Sequence, residues 1–241
     1  LHPYENYLFE VPNHADYYPV QTQRNFKTAH DRQQLGQLRK KALEQVINDS
    51  YIKGLAHNSG VTVSDKEVED RIALVKTQNR LGNNNRVFED VLKDYWGWST
   101  RDFERSLRQE ILTEKVVAKL DNSTASRASE GMQKLQTGTD FNELAKQASD
   151  DPGAKTNGGD YGFAIDKNSR DVAPQVVQAL SKLHPGQVSG IINTGTSLEI
   201  VKLNQRTGDK VTAWHIVYNF KDVNPFLNEV QQKQKAKSFI S

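Results

Sequence analysis

Three glycines gathered around an acidic residue constrain the fold of this chain more than any other feature. The stretch SDDPGAKTNGGDYGF, residues 149–163, holds Gly158, Gly159 and Gly162 on either side of Asp160. Glycine adopts positive φ angles without the steric penalty that a Cβ atom brings. The stretch therefore predicts a loop that turns sharply and then enters a strand.

Composition excludes several classes of function. The 241 residues are enough for one large or two ordinary domains, and the 32 basic and 30 acidic residues nearly balance. The resulting net charge of +2 gives no argument for nucleic acid as a partner. No run approaches the roughly 20 apolar residues of a membrane span. The absence of cysteine excludes disulfides and thiolate chemistry, and it fits an oxidising compartment.

Residues 1–30 mix aromatic side chains with prolines in an irregular pattern. Two interpretations fit this range, a linker and a strap laid over the next domain, since aromatic side chains gain nothing in free solution. Because the chain begins at Leu1 and not at Met, we expect it to be a fragment whose N-terminal part has been removed.

Residues 31–121 have the periodicity of helices. Apolar residues that share one expected helix face are Leu43, Val46, Ile47, Tyr51 and Leu55. Ser64 followed by Glu67 has the pattern of a capping box, in which each side chain caps the backbone N–H of the other residue. This range is therefore predicted to form a helical domain.

The pattern changes after residue 121. Shorter helical segments surround the glycine-rich loop, and two apolar stretches, SLEIVKLNQ and KVTAWHIVYNF, follow on either side of the turn TGD. Alternation with a period of two is typical of strands, and a short turn joins antiparallel neighbours. We therefore predict a mixed domain over residues 122–220 and a C-terminal helix over residues 221–241.

The stretch DFNELAKQASDDPGAKTNGGDYGF resembles the centre of the parvulin family of rotamase domains, found in the SurA and PrsA foldases of the bacterial envelope. The residues that match the family pattern are Phe141, Leu144, Ala145, Ser149, Asp151, Gly158, Gly159, Asp160 and Gly162. The segments LSKLHPGQVSGII and LEIVKL resemble later parts of the same domain, so the resemblance covers about residues 124–205.

The helical region has a resemblance of its own. LRKKALEQVINDSYIKGLAHNSGVTVSDKEVEDRI is similar to the N-terminal chaperone domain of SurA-type proteins, over about residues 34–120. Together the two resemblances imply an α+β protein. A helical chaperone domain is followed by a parvulin-type, four-stranded antiparallel sheet with flanking helices.

The first strand of the parvulin pattern is in an unexpected place. The family opens with a strand before its first helix, but here the strand-like stretch AWHIVYNF lies near the C-terminal end. Either this stretch completes the sheet by pairing with LEIVKL, or it begins a second parvulin unit. We favour the first arrangement, because an isolated strand leaves its backbone groups unpaired.

The parvulin resemblance implies a set of site residues. His215 matches the first family histidine and Asp151 the loop acid, whereas Glu199 stands where the family has its second histidine. For the slot that takes the proline ring, Val172 stands at a methionine position and Val176 at a phenylalanine position. The remaining expected substrate-binding residues are Leu180, Gly158, Gly159 and Phe163.

Two functions follow from these resemblances. The first is an extracytoplasmic folding factor, a peptidyl-prolyl isomerase and chaperone for unfolded or proline-containing polypeptides, with no metal, no cofactor and any membrane anchor outside this fragment. The second is a chaperone or envelope interaction module with a degraded site. Glu199, Val172 and Val176 depart from the family pattern and favour the second, so we expect weak or absent turnover.

Overall fold

The computed structural model describes residues 29–79, 81 and 84–238. The strap or linker expected at residues 1–30 therefore lies outside the described residues, except for its last two positions. The chain divides into two compact units. The helical unit comprises the residues up to Val116 together with those from Val223 onward, and the sheet unit comprises Val117–Asp222.

Among the described residues, eight helices precede a short three-stranded antiparallel sheet, and one helix follows it. In chain order the elements are α1 (Ala29–Ser59), α2 (Asp65–Gln78), α3 (Asn85–Trp96), α4 (Thr100–Leu120), α5 (Asn122–Gln136), α6 (Phe141–Ala148), α7 (Ala154–Asn157), α8 (Pro174–Lys182), β1 (Ile192–Asn193), β2 (Ser197–Thr207), β3 (Lys210–Asn219) and α9 (Asn224–Ser238). None of these described helices combines the length and apolar content that crossing a bilayer requires.

Local signals fix the helix boundaries of the helical unit. The Ser64 side chain accepts a hydrogen bond from the Glu67 amide, and the Glu67 carboxylate accepts one from the Ser64 amide, so the predicted capping box is confirmed. Gly97 ends α3 in the left-handed conformation, with φ 67°. The C-terminal helix α9 packs against α1, and its Leu227 is buried.

The core of the helical unit lies between α2, α3 and α4. Its buried side chains are Val68, Val75, Phe88, Leu92, Phe103, Leu107 and Ile111. Phe88 and Phe103 meet edge to face, with ring centroids 5.4 Å apart. The apolar face predicted for α1 is not buried in this core, since Leu43 and Val46 remain exposed.

Ion pairs tie α2 to α4. Arg71 bridges two carboxylates of α4, with Nη1 3.0 Å from Glu110 Oε1 and Nη2 2.6 Å from Glu114 Oε2. Burial raises the pKa of Glu110 to about 7, with Arg71 acting against this shift and Glu114 adding to it. One third of the Glu110 side chain (33%) stays accessible, so water relieves part of the burial penalty.

The sheet confirms the predicted pairing of the C-terminal strand. β2 lies between β1 and β3, and β2 and β3 are antiparallel with Leu198 opposite Tyr218 and Val201 opposite His215. The predicted fourth strand is reduced to isolated bridges from Asp160 and Ile165 to β3. Between these bridges Gly162 has φ +75°, which interrupts a regular ladder.

Each face of the sheet buries its own layer of side chains. On one face α8 covers part of β2 and β3, and the buried residues include Val176, Leu180, Val201 and Ala213. On the other face α5 and α6 cover Ile200, Ile216 and Tyr218. Because side chains alternate along a strand, His215 lies on the α8 face, together with Val201 and Ala213.

Candidate active site

His215 projects from the middle of β3 and is mostly buried, with 15% of its side chain accessible. Its amide donates a hydrogen bond to the carbonyl oxygen of Gly159, at 2.8 Å. This bond ties the glycine-rich loop directly to the strand that carries the histidine. The imidazole Nε2 lies 3.2 Å from Asp151 Oδ2, so the two residues that the sequence paired are in hydrogen-bond contact.

Asp151 is held in place by the end of α6. The Ser149 hydroxyl accepts hydrogen bonds from the Asp151 amide, at 3.2 Å, and from the Val217 amide of β3, at 3.0 Å. The Asp150 amide donates to the Val217 carbonyl, at 2.8 Å. These bonds anchor the loop along β3 and leave the Asp151 carboxylate facing His215.

Glu199 is the most deeply buried acid of the site, with 8% of its side chain accessible. Its Oε2 lies 3.9 Å from His215 Nδ1, which is beyond hydrogen-bond distance. Its Oε1 accepts a hydrogen bond from the Ser197 hydroxyl, at 3.1 Å. The Ser197 hydroxyl also lies 2.7 Å from Thr194 Oγ1, so a small network of hydroxyl groups supports the carboxylate.

One aromatic ring packs against the histidine, and a second packs against the first. The ring of Tyr161 packs against the His215 imidazole, with centroids 4.1 Å apart and planes inclined by 38°. Phe163 meets Tyr161 edge to face at 5.8 Å, and 38% of its surface is exposed. The site therefore joins a carboxylate–imidazole pair to an aromatic surface that is partly exposed to solvent.

The paired glycines, Gly158 and Gly159, lie close against neighbouring parts of the protein. A Cβ atom on Gly159 would lie 2.2 Å from the His215 carbonyl oxygen, and one on Gly158 would lie 2.9 Å from Asn142 Cβ. The space beside these glycines is filled by the protein itself. Their lack of side chains lets the loop lie close against β3 and α6.

The expected proline slot also differs. Val172, Val176 and Leu180 expose 4%, 0% and 1% of their surfaces and belong to the core between α8 and the sheet. Alignment with the family pattern gives the position of a residue in the sequence, but it does not show whether the side chain is buried in the core or exposed at the site. Of the apolar residues expected to contact substrate, Phe163 is the one that the structure leaves accessible.

Family models match both parts of the chain. One described as a SurA-like N-terminal domain matches residues 6–117, and one described as a PPIC-type PPIase domain, of the rotamase family, matches residues 111–205. The chain is thus similar to a SurA-like N-terminal domain over its first part and to a PPIase domain over the part that follows. This confirms the two resemblances seen in the sequence.

Curated relatives are named foldase protein PrsA or chaperone SurA. PrsA of Clostridium tetani is 26% identical over 242 residues, covering 86% of this chain and 67% of the relative. PrsA 2 of Bacillus cereus is 30% identical over 163 residues, covering 60% and 54%. SurA of Methylobacillus flagellatus is 26% identical over 254 residues, covering 83% and 56%. The chain thus spans between about half and two thirds of the length of these relatives.

Among solved structures, foldase protein PrsA from Streptococcus pneumoniae is similar over 80% of this chain and 77% of that chain. The two sequences are 22% identical, and the TM-score is 0.25.

The family match ends at an earlier residue than the sheet does. The match to the PPIase domain ends at residue 205, before β3, which carries His215. β3 is nevertheless paired with β2 from Ser197–Asn219 to Thr207–Lys210. The histidine is thus brought to Asp151 by a strand that the match does not include.

Sequence reasoning did not assign Tyr161, Ser197 or Thr194 to the site. Tyr161 stands within the quoted glycine motif, but its place beside His215 depends on which strand lies next to the loop. Its amide donates to the Ala213 carbonyl, at 3.3 Å, which sets that alignment. Once β3 is known to lie beside the loop, alternation along the strand places Tyr161 on the His215 face.

Proposed function

We propose that this chain is an extracytoplasmic protein-folding factor that binds unfolded polypeptides and isomerises X–Pro bonds at the His215–Asp151 site. The two matched domains and the names of the relatives support the folding role and polypeptide clients. An extracytoplasmic location agrees with the absence of cysteine, because a free thiol is a liability in an oxidising compartment.

The chemistry requires no nucleophile. Rotation about an X–Pro bond is slow because the planar amide is stabilised by resonance, and the transition state is a twisted amide. A site accelerates rotation when it binds the twisted form more tightly than either planar form. The aromatic surface of Phe163 and Tyr161 suits a proline ring, and the His215–Asp151 pair lies beside it as the polar partner of the rotating amide.

The 3.2 Å contact between His215 and Asp151 is the observation that carries this proposal. The test is the exchange rate between cis and trans forms of a short X–Pro peptide, followed by NMR with catalytic amounts of protein. His215→Ala and Asp151→Asn are expected to lower the rate at least tenfold. His184→Ala is the matched control, because His184 is an exposed histidine of the same unit. Equal rates in all four proteins would contradict the proposal.

A second candidate function is peptide binding without turnover, and the observation that favours it is Glu199. This acid stands at a family histidine position and lies near His215. Glu199→His restores the family residue at that single position. A rise in exchange rate, from a protein that already binds the peptide, would favour the degraded site, whereas an unchanged or lower rate would favour a site adapted to Glu199.

The buried valines are a poor choice for the same experiment. Restoring methionine at Val172 and phenylalanine at Val176 would insert larger side chains into a core that is already closed. Such overpacking typically costs about 1–3 kcal/mol, so a change in activity would be confounded with a change in stability. Glu199→His changes no residue of the α8 core, but Glu199 is itself buried, so the free energy of unfolding is measured together with the exchange rate.

The helical unit offers apolar surface for the binding role. A cavity of about 290 Å³ lies in this unit and is lined by Phe88, Tyr95, Trp96, Trp98 and Phe103, among others. Leu43 and Val46 of α1 are exposed by 60% and 65%. Exposed apolar groups of this kind contact the apolar side chains of unfolded polypeptides without selecting a sequence.

A further inference from the structure

We infer that Tyr161 is a positioning residue of the proposed isomerase site. Its ring sets the orientation of the His215 imidazole, and its hydroxyl group holds the Glu199 carboxylate. This inference rests on the proposed function for its catalytic consequence, but the positioning itself can be measured separately. Neither the family matches nor the names of the relatives assign a role to Tyr161.

The ring contact restricts the rotation of the histidine. His215 is held at one edge by Asp151, through Nε2. A single hydrogen bond does not by itself fix the plane of the imidazole. The Tyr161 ring lies against the imidazole at 4.1 Å between centroids, so tilting toward the tyrosine is blocked. Phe163 supports Tyr161 on its own side, at 5.8 Å.

The hydroxyl group connects the histidine face to the buried acid. Tyr161 Oη donates a long hydrogen bond to Glu199 Oε2, at 3.4 Å, and the Ser197 hydroxyl donates a shorter one to Oε1, at 3.1 Å. The two donors hold the carboxylate from both oxygens, with Oε2 3.9 Å from His215 Nδ1. A carboxylate free to move by 1 Å would instead form a hydrogen bond with Nδ1 and compete with Asp151 for the imidazole.

Tyr161 thus helps to keep Asp151 and Glu199 at different distances from the His215 imidazole. Asp151 contacts the imidazole directly, and Glu199 stays at a longer distance because the tyrosine and serine hydroxyl groups hold it there. Removing only the hydroxyl group should change the reaction step more than peptide binding, because the aromatic ring at position 161 remains beside the proline.

The experiment compares Tyr161→Phe, which keeps the ring, with Tyr161→Leu, which removes both groups. Two readouts are taken in the full chain: kcat and KM for the X–Pro peptide, and the NMR shifts of the His215 ring. Tyr161→Phe is expected to lower kcat by about three- to tenfold, as for the loss of one hydrogen bond, with KM unchanged. Its His215 ring protons should keep the upfield shift that a stacked aromatic ring produces.

Tyr161→Leu is expected to lower kcat further and to remove that upfield shift. A His215 spectrum that is the same in Tyr161→Leu and the unmodified protein would overturn the inference, whatever the activity. An unchanged kcat in Tyr161→Phe would overturn the role of the hydroxyl group. If the unmodified protein has no isomerase activity, the proposed function fails, and altered NOEs from the His215 ring protons to Val201 and Ala213 in Tyr161→Leu would still support the positioning of His215. If Tyr161→Leu does not fold, Tyr161→Phe decides.

Discussion

The helical unit and the sheet unit differ in which apolar groups they expose and which polar groups they bury. The helical unit leaves Leu43, Val46 and Tyr95 more than half exposed and joins α2 to α4 through partly buried ion pairs. The sheet unit buries polar groups such as Glu199 and Ser197, each supported by hydrogen bonds. The helical unit presents an exposed apolar surface, and the sheet unit holds a few polar atoms in fixed positions.

This difference matches the two parts of the proposed function. Binding of many unfolded chains needs apolar area and tolerates variation in detail, whereas isomerisation needs groups placed to favour one twisted geometry. We therefore expect substitutions near the site to have sharp, position-specific effects. Substitutions on the exposed face of the helical unit should leave stability nearly unchanged and alter only the interaction with clients.

The largest effect is expected from Gly159→Ala in the sheet unit. The added Cβ would lie 2.2 Å from the His215 carbonyl oxygen, and the backbone has φ +83°. The left-handed backbone conformation costs about 1–2 kcal/mol and the overlap a further 1–3 kcal/mol. A loss of about 3 kcal/mol in the free energy of unfolding should therefore appear in urea denaturation, together with a shifted His215 NMR spectrum.

Gly162→Ala is the matched control for this prediction. Gly162 has a similar backbone conformation, with φ +75°, but its added Cβ would meet no atom of the described residues within 4 Å. Its expected cost is about 1 kcal/mol, from the backbone conformation alone. Equal destabilisation by the two substitutions would show that the close approach of the loop to β3 is not what requires glycine.

The next largest effect is expected from Arg71→Met in the helical unit. The substitution leaves the Glu110 and Glu114 carboxylates side by side without their common guanidinium group. Loss of one partner from a partly buried ion pair should cost about 1–3 kcal/mol in the free energy of unfolding. The control is Lys66→Met, since the Lys66–Asp70 pair is exposed and its removal should have no measurable effect. A similar result for the two variants would contradict a structural role for Arg71.

A smaller effect concerns the pH dependence of the helical unit. Burial raises the pKa of Glu110 from 4.5 to about 7, so between these values the folded unit binds a proton that the unfolded chain releases. The free energy of unfolding should therefore fall as the pH rises from about 4.5 to about 7. Glu110→Gln should remove this decline and be the more stable protein near pH 7.

The measurement uses urea denaturation across that pH range in a Trp214→Phe background. Of the three tryptophans in the chain, Trp96 and Trp98 then remain, and both lie in the helical unit. Their fluorescence reports the unfolding of that unit without a signal from the sheet. The same pH slope in the background protein and in the Glu110→Gln variant would rule out Glu110 as the titrating group.

Much of the fold could be predicted because its signals are local or pairwise. The capping box at Ser64 depends on two residues three positions apart, and the pairing of β2 with β3 follows from two alternating stretches around a short turn. The reduction of the fourth strand to isolated bridges was not predicted. It depends on the backbone angle of Gly162, which sequence composition leaves open.

The site could be predicted only in part, because burial is a property of the whole fold. The contact of His215 with Asp151 was expected from the family pattern, and the structure has it. The burial of Val176 depends on how α8 packs on the sheet. The packing of Tyr161 against His215 depends on how the glycine-rich loop lies along β3. Periodicity likewise grouped Leu43 and Val46 on one face without showing whether any element covers it.

The smallest effect on stability, and the most direct test of the comparison, comes from the exposed face of α1. Leu43→Ser with Val46→Ser should change the free energy of unfolding by no more than about 0.5 kcal/mol per substitution, because both side chains are mostly exposed. The same double variant should nevertheless suppress the aggregation of a denatured test protein less well, since it removes apolar area from the proposed client surface.

A matched control decides whether the position of this apolar area matters. Val188 and Ile191 of the sheet unit are also exposed, by 36% and 40%, and Val188→Ser with Ile191→Ser removes a comparable apolar pair. The full chain is required in each assay, because α9 belongs to the helical unit and a fragment ending near residue 121 would lack it. If both double variants weaken the suppression equally, client binding is spread over both units. If only the α1 variant weakens it, the helical unit holds the client, and the His215 site acts on a chain that is bound elsewhere.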